Sequence, residues 1–129
     1  MTDSKLIELM LVDDSKLTMV GLKTTFNQFK DIKVVGEAEN GEIAIQMASK
    51  LKPDIILMDI GMPIMDGIQS TKEINKLELG CKIIMLTSHD SESDVFDALA
   101  AGAQSYCMKE VDPEVLVNVI KSTHSGASW

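Results

Sequence analysis

The sequence predicts an α/β fold in which five parallel strands form an open, doubly wound sheet covered by five helices. Short apolar runs rich in β-branched residues begin roughly every 22–28 residues, which is the length of one βα unit. Helical patterns separate these runs, and strictly alternating βα units form parallel sheets with right-handed crossovers. Five units are too few for an eight-fold barrel, so we expect an open sheet.

The predicted strands are short and mostly apolar without strict alternation, as expected for strands that helices cover on both faces. The first also carries Glu8, and the fifth carries Gln104 and Ser105, so these two are less apolar than the others. The five predicted strands are Leu6–Val12, Ile32–Ala38, Asp54–Asp59, Lys82–Thr87 and Gln104–Met108.

The predicted helices start at capping residues and stop at glycine or proline. In the first, Leu22, Phe26 and Phe29 recur at helical spacing and indicate a core-facing stripe. Leu77 belongs to the apolar positions of the third helix, and Leu99 is expected to face inward in the fourth. The helices are Ser15–Phe29, a second from Asn40-Gly41 to before Pro53, Asp66–Leu79, Asp90–Ala101 with Asp90 or Ser91 as cap, and a fifth beginning Asp112-Pro113-Glu114.

Length and charge limit the classes of function. The chain has 129 residues, which suits a single domain over residues 1–129, with a core at 6–121 and a tail or linker start at 122–129. All 12 cationic side chains are Lys and the net charge is −8, which argues against nucleic-acid binding by this chain alone. No apolar stretch approaches the ~20 residues of a membrane span, and two Cys form no disulfide framework, so we expect a cytoplasmic protein without a membrane segment.

Polar side chains follow four of the five predicted strands. Asp13 and Asp14 come after the first, Asp59 ends the third, Thr87 ends the fourth, and Lys109 follows the fifth. Ligands of doubly wound sheets bind outside the carboxyl ends of the strands, so these side chains are expected to meet at one edge. Taken singly, Asp14 could cap the first helix and Lys109 could be a solvated surface residue; their joint placement indicates a site.

Three clustered carboxylates repel one another by about 1 kcal/mol per pair in water and about 4 kcal/mol at an effective dielectric near 20, so the cluster needs a cation. Oxygen ligands favour Mg²⁺ or Ca²⁺, and Mg²⁺ with open water positions suits phosphate chemistry. The backbone carbonyl of Gly61 is a candidate neutral ligand. Lys109 and Thr87 supply a charge and a hydroxyl for phosphoryl oxygens. Asp66 is expected to cap the third helix.

These residues form motifs in a specific order over residues 6–120. The chain resembles the receiver (CheY-like) domain of response regulators in two-component systems, and its pattern is closest to the NarL/FixJ-type regulators. The resemblance implies a flavodoxin-like sheet of strand order 2-1-3-4-5. The matching segments are Leu11–Ser15, Leu57–Gly67, Ile84–Ser88 and Ala101–Ala103, followed by Tyr106 and Lys109.

The resemblance also implies a role for each acidic residue. Asp59 would accept a phosphoryl group from the phosphohistidine of a sensor histidine kinase. Asp14, Asp59 and the Gly61 carbonyl would bind Mg²⁺, with Asp13 assisting through water. The expected chemistry is self-phosphotransfer and autodephosphorylation only, so the protein is not expected to be an enzyme acting on other substrates.

The remaining site residues would read out the phosphorylated state. The resemblance implies that Lys109 pairs with the phosphoryl group, that Thr87 bonds to it, and that Tyr106 turns inward as Thr87 moves. The switch would bias a docking face and permit a homodimer on phosphorylation. Glu110 stands where many members of the family have proline after the lysine. The run from Lys109 to Glu114 resembles regulators that bind DNA through a separate output domain, absent from this chain.

The same residues bear on several alternative functions. A stand-alone receiver and a phosphorylation-independent pseudo-receiver that only binds other proteins both remain open, although the complete acidic set counts against the second. A haloacid-dehalogenase-type phosphohydrolase requires a second acid two residues after the nucleophile, where this chain has Gly61. A dinucleotide-binding protein is excluded because Asp13-Asp14-Ser15 stands where a glycine-rich phosphate turn is required.

Overall fold

Five parallel strands and five helices alternate along the chain in the computed structural model, which describes residues 6–87 and 92–126. The strands are β1 (Ile7–Val12), β2 (Ile32–Ala38), β3 (Ile55–Asp59), β4 (Lys82–Thr87) and β5 (Ser105–Met108). The helices are α1 (Lys16–Phe26), α2 (Gly41–Leu51), α3 (Gly67–Lys76), α4 (Glu92–Ala101) and α5 (Pro113–His124). The predicted cap of the fourth helix at Asp90 or Ser91, the motif residue Ser88 and the tail residues 127–129 lie outside the described residues.

The sheet has the strand order β2-β1-β3-β4-β5, and every neighbouring pair is parallel. The predicted fold class, a five-stranded doubly wound α/β sheet, is therefore confirmed. The strand order reverses direction between β1 and β3, which is the point at which ligands of such sheets bind. Pairing of Val12 with Met58 brings the carboxyl ends of these two central strands side by side.

The core has two layers, one on each face of the sheet, because the strands are buried on both sides. One layer joins β-strand residues such as Leu57 to Phe26 of α1 and Ile120 of α5. The other joins residues such as Met58 to α2, α3 and α4. No helix within residues 6–87 and 92–126 combines the length and the apolar character needed to cross a membrane.

Three predicted details of the helices differ from the structure. Helix α1 ends at Phe26, and Phe29 packs against the core from the following turn. Leu77 is 46% exposed because α3 ends at Lys76 and Leu77 is its C-terminal cap. Leu99 is also 46% exposed, because the neighbouring Ala98 is the residue of α4 that is fully buried.

The last helix continues three residues past the predicted core boundary at residue 121. Thr123 is buried, and its hydroxyl lies 2.7 Å from the hydroxyl of Ser105 in β5. The Lys82 ammonium donates to the backbone carbonyls of Thr123 and His124, at 3.2 Å each. Residues 122–124 therefore belong to the packed domain, because β4 and β5 hold the end of α5.

Candidate functional site

The three predicted acids meet at the carboxyl edge of the sheet. Asp13 and Asp14 follow β1 directly, and Asp59 is the last residue of β3, the strand that pairs with β1. One carboxylate oxygen from each of the three lies within 4.8 Å of the others. Asp13 and Asp59 are 3% and 6% exposed, whereas Asp14 is exposed, so the cluster opens to solvent on the Asp14 side.

The ammonium of Lys109 lies between the two buried acids. Its Nζ is 2.9 Å from Asp13 Oδ2 and 3.2 Å from Asp59 Oδ1. The backbone N–H of Lys109 donates to the carbonyl of Thr87 at 2.8 Å, which anchors the segment after β5 to the end of β4. One ammonium faces three carboxylates, so the cluster keeps a surplus of negative charge.

This surplus determines how readily each group binds a proton. Burial raises the pKa of the Asp59 carboxyl above its usual value of 3.8, and the negative charge of Asp13 raises it further, against the opposing effect of Lys109. Burial by itself would lower the pKa of Lys109, but its attraction to Asp13 and Asp59 outweighs burial and raises that pKa. The lysine is therefore fully charged at neutral pH, but its single positive charge does not neutralise the three carboxylates.

The donor set fits a hard divalent cation such as Mg²⁺. Asp13 Oδ1 accepts a hydrogen bond of 2.8 Å from the backbone N–H of Ser15. Asp13 Oδ2 is buried, and it pairs with the Lys109 ammonium at 2.9 Å. Three carboxylates beside one ammonium leave negative charge that a metal ion with oxygen ligands would neutralise.

The loop between β3 and α3 packs closely against the backbone of Asp59. The backbone N–H of Gly67 donates to the Ile60 carbonyl at 2.9 Å, and a Cβ atom at position 67 would clash with the Asp59 carbonyl. Asp66 caps α3 by accepting from the Gln69 N–H at 2.8 Å, as predicted. Gly61 is exposed, and a Cβ atom there would meet open space, so packing does not require its glycine. Its role as a carbonyl ligand stays a prediction.

A cavity of about 440 Å³ opens beside the acids, between α1 and the end of β2. Its lining includes Asp13 and Asp14, and Val20 and Ile43 contribute apolar surface. The ion pair of Lys23 with Glu37, whose charged atoms are 2.8 Å apart, also lines it. The acidic site therefore continues into a partly apolar groove along α1.

The sequence profile of the response regulator receiver domain matches residues 9–121. The chain belongs to this receiver family. The predicted resemblance is thereby confirmed, and the family is one of signalling modules in two-component systems.

Named relatives extend this assignment. The response regulator protein VraR of Staphylococcus saprophyticus is 36% identical over 122 residues, and the transcriptional regulatory protein DegU of Brevibacillus brevis is 33% identical over 123 residues. Both matches cover 95% of this chain but only 58% and 52% of the relatives, so the chain spans about half their length. The receiver domain of NarL from Mycobacterium tuberculosis superposes with a TM-score of 0.91 at 27% identity, covering 95% of this chain and 98% of that one. The predicted likeness to NarL/FixJ-type receivers is confirmed.

The predicted switch residues of this receiver occupy neighbouring strands. Thr87, the last residue of β4, is buried and pairs in register with Met108. Tyr106 pairs with Met85 and is half-buried against the core layer under α2, α3 and α4. The described peptide bonds are all trans, including the one after Lys109. The switching roles of Thr87 and Tyr106 stay predictions.

Two features of the receiver site were missed in the sequence. Ser15 caps α1, accepting from the Thr18 N–H at 3.2 Å, while its own N–H orients Asp13. The Asp-Ser pair before a helix is the signal that predicts this cap. Ile64 lies in the loop after Asp59 with a left-handed φ of 70° and is 77% exposed. No sequence signal indicates that conformation, because β-branched residues rarely adopt it.

Proposed function

We propose that this receiver accepts a phosphoryl group on Asp59 from the phosphohistidine of a sensor histidine kinase, with Mg²⁺ bound at the acidic cluster. We further propose that it is the regulatory part of a cytoplasmic, DNA-binding transcriptional regulator. The observation that carries the proposal is the cluster of Asp13, Asp14 and Asp59 at the strand-order switch point, where the Lys109 ammonium pairs with Asp13 and Asp59.

The transfer is a substitution at phosphorus. An ionised Asp59 oxygen attacks the phosphorus atom as the phosphorus–nitrogen bond to the histidine ring breaks. The products are an acyl phosphate and an imidazole, whose leaving nitrogen takes up a proton from solvent. Lys109 neutralises charge on the nucleophile and on the transferred oxygens, and Thr87 donates its hydroxyl to one of them. Asp13, Asp14, Asp59 and the Gly61 carbonyl would hold Mg²⁺, which supplies further neutralisation and alignment when bound.

Phosphorylation would act as a switch through charge. The phosphoryl group adds about −1.5 to −2 charge and three acceptor oxygens, which attract Thr87 and Lys109. Thr87 and Tyr106 lie on adjacent strands, so movement of one would be felt at the other. The two helices that contact β5 each carry an exposed apolar residue, Phe96 on α4 and Val115 on α5, which supports a homodimer formed on phosphorylation.

DNA binding would belong to another part of the protein. The net charge of −8 and the lack of arginine in this chain oppose contact with phosphates. The chain spans about half the length of VraR and DegU, and DegU is named a transcriptional regulatory protein. These matches support an output domain outside this chain.

The proposal is tested by phosphorylation with a small donor. We expect acetyl phosphate and Mg²⁺ to add one phosphoryl group to the wild-type protein, measured by intact-mass spectrometry, and to add none to Asp59→Asn. Asp66→Asn is the matched control, because it changes an acid of the same loop and asparagine also caps helices. Labelling that persists in Asp59→Asn would reject the site, and absence of labelling in the wild type would favour a pseudo-receiver.

A further inference from the structure

The cavity beside the acidic cluster has the size of a small-molecule site. Its volume is about 440 Å³, and pockets that bind small ligands commonly measure about 300–1,000 Å³. Four parts of the chain line it: the loop after β1, helix α1, the end of β2 with the residue that follows, and the first turn of α2. The phosphoryl transfer proposed for Asp59 leaves this cavity without a role.

Part of the cavity lining is apolar. Met19 and Ala38 are buried residues that border the cavity, and Val20 and Ile43 contribute further carbon surface. Val20 is 56% exposed, so its side chain is open to contact from a ligand. Methionine has a flexible and polarizable side chain that adapts to the shape of what it contacts. An alkyl chain in the cavity would therefore remove carbon surface from water on both the ligand and the protein.

The charged part of the lining is only partly neutralised. It contains four carboxylates and two ammonium groups, those of Lys16 and Lys23. Lys23 pairs with Glu37 at 2.8 Å. Lys109 pairs with Asp13 at 2.9 Å, but this ammonium is shared with the phosphoacceptor. The acids therefore outnumber the cations at this end of the sheet.

Asp14 and Glu39 carry the remaining two carboxylates of the lining. Both residues are exposed, and neither forms an ion pair within residues 6–87 and 92–126. They lie in neighbouring loops, since Val12 pairs with Ala38 and the N–H of Asp13 donates to the Ala38 carbonyl at 3.1 Å. A cation bound between these loops would be attracted by both carboxylates.

Charge and carbon surface together specify the class of ligand. A metal ion would meet the carboxylates and leave the apolar residues uncovered, whereas an uncharged hydrocarbon would leave the carboxylates unpaired. A primary ammonium group has three donors, and in this fold the ammonium of Lys109 already pairs with two acids of the same cluster. An alkyl chain that ends in an ammonium group matches both parts of the cavity.

We propose that the cavity binds a small organic cation of the alkylamine class, whose ammonium group pairs with Asp14 and Glu39 and whose chain packs against Val20 and Ile43. Since Asp14 is also a proposed ligand of Mg²⁺, the amine and the metal ion compete for it. The bound amine thereby inhibits phosphorylation of Asp59. Binding of the amine stands on the cavity alone, whereas this inhibitory effect rests on the proposed function.

Hexylamine is the probe, and two-dimensional ¹H–¹⁵N NMR of the chain follows its titration. We expect saturable shifts of the backbone amide signals of Val20 and Ile43. Hexanol lacks the charge and methylamine lacks the chain, so each should bind about tenfold more weakly than hexylamine. KCl at matched ionic strength controls for screening of the −8 net charge.

Two variants and their matched controls locate the amine. Val20→Lys replaces apolar surface with a competing ammonium group and should weaken hexylamine binding about tenfold. Glu39→Gln removes one carboxylate at constant size and should weaken it about threefold, since the side chain is exposed. Leu77→Lys and Glu114→Gln make the same changes at exposed positions at the end of α3 and the start of α5, and they should bind as the wild type does.

Titration calorimetry of Mg²⁺ binding measures the competition. We expect hexylamine at about ten times its own Kd to raise the apparent Kd of Mg²⁺ about tenfold, as competition for one site requires. Hexanol at the same concentration should leave the Mg²⁺ affinity unchanged. This measurement uses no phosphoryl donor, so it separates ligand binding from the reactivity of Asp59.

The assignment fails if hexylamine causes no saturable shift, or if hexanol or methylamine binds as tightly. Equal binding by the two variants and their controls would place the amine elsewhere on the acidic surface. Hexylamine binding that leaves the Mg²⁺ affinity unchanged would overturn the pairing with Asp14 and the inhibition. Absence of Mg²⁺ binding without any amine would reject the metal site of the proposed function, and the NMR titration would still decide whether the cavity binds amines.

Discussion

At Asp59, burial and the charge of Asp13 both raise the pKa of the carboxyl, and Lys109 opposes them. The ionised side chain is the nucleophile that phosphoryl transfer requires, yet it is the form that the folded protein accommodates least well. A residue selected for stability alone would be neutral here. The raised pKa of Asp59 is therefore a cost that the fold carries for the sake of its chemistry.

The destabilisation of the folded state by ionised Asp59 depends on pH. The folded protein binds a proton on Asp59 at higher pH than the unfolded chain does, so the destabilisation is present at pH 7 and is relieved as pH falls through the raised pKa. We expect Asp59→Asn to raise the free energy of unfolding by about 1–3 kcal/mol at pH 7 without divalent ions. The advantage should disappear below about pH 4, where the wild-type carboxyl is protonated in both states.

Urea unfolding of both proteins across this pH range, in the presence of a chelator, measures the difference. Asp66→Asn serves as the control, since Asp66 lies outside the acidic cluster and asparagine preserves its cap. A wild-type protein as stable as Asp59→Asn at pH 7 would mean that Lys109 already compensates the cluster fully.

At the scale of elements, α3 holds its neighbours through polar side chains. The hydroxyl of Ser70 donates to the carbonyl of Gly41 at the start of α2, at 2.9 Å. The Asn75 amide donates to the carbonyl of Ala101 at the end of α4, at 3.0 Å. The bond to Ala101 satisfies a carbonyl that lacks an intrahelical partner at the C-terminal end of α4, and the two bonds together tie α3 to α2 and α4.

Substitution of Gly102 tests how much the hydrogen bond from Asn75 to Ala101 contributes to stability. Its φ is 111°, and a Cβ atom at this position would overlap the amide of Asn75, whereas Gly80 has a φ of 83° and open space around it. We expect Gly80→Ala to lower the free energy of unfolding by about 1 kcal/mol through backbone strain. Gly102→Ala should cost about 1–2 kcal/mol more, because Asn75 must move and lose its bond to Ala101.

Chemical denaturation of the two alanine variants measures this difference. Introducing Asn75→Ala into Gly102→Ala should cost less than Asn75→Ala alone, since the bond is already lost. Equal losses for Gly80→Ala and Gly102→Ala would show that Asn75 adapts without penalty.

The same elements show why sequence predicts strands better than helix ends. Each strand was predicted to within one residue, because short runs rich in apolar and β-branched residues are visible in the sequence. The sequence did not predict the end of α5, because Lys82 and Ser105, which contact it, are distant in sequence. The acids were predicted from their place at strand ends, but no sequence signal indicated the left-handed φ of Ile64.

For the whole molecule, the sheet topology explains how sequences that differ at most positions keep the same fold. The NarL receiver shares 27% of its residues with this chain and superposes with a TM-score of 0.91. Parallel strands with alternating crossovers bring every carboxyl end to one edge, so residues far apart in sequence converge without a dedicated loop. The fold therefore brings the strand-end residues together, and the side chains at those positions give the site more negative charge than Lys109 neutralises.

That excess predicts the response of the whole protein to Mg²⁺. A ligand that binds only the folded state stabilises it in proportion to the logarithm of its concentration, by about 2.7 kcal/mol at a hundredfold excess over Kd. We expect Mg²⁺ to raise the melting temperature of the wild type, because it relieves the repulsion among Asp13, Asp14 and Asp59. The melting temperature of Asp59→Asn should rise much less with Mg²⁺, whereas that of Asp66→Asn should rise as much as in the wild type. Scanning calorimetry measures these shifts, and KCl at matched ionic strength is the control for salt screening. An equal rise with KCl would mean that general screening of the −8 net charge, and not ligation at the strand ends, stabilises the protein.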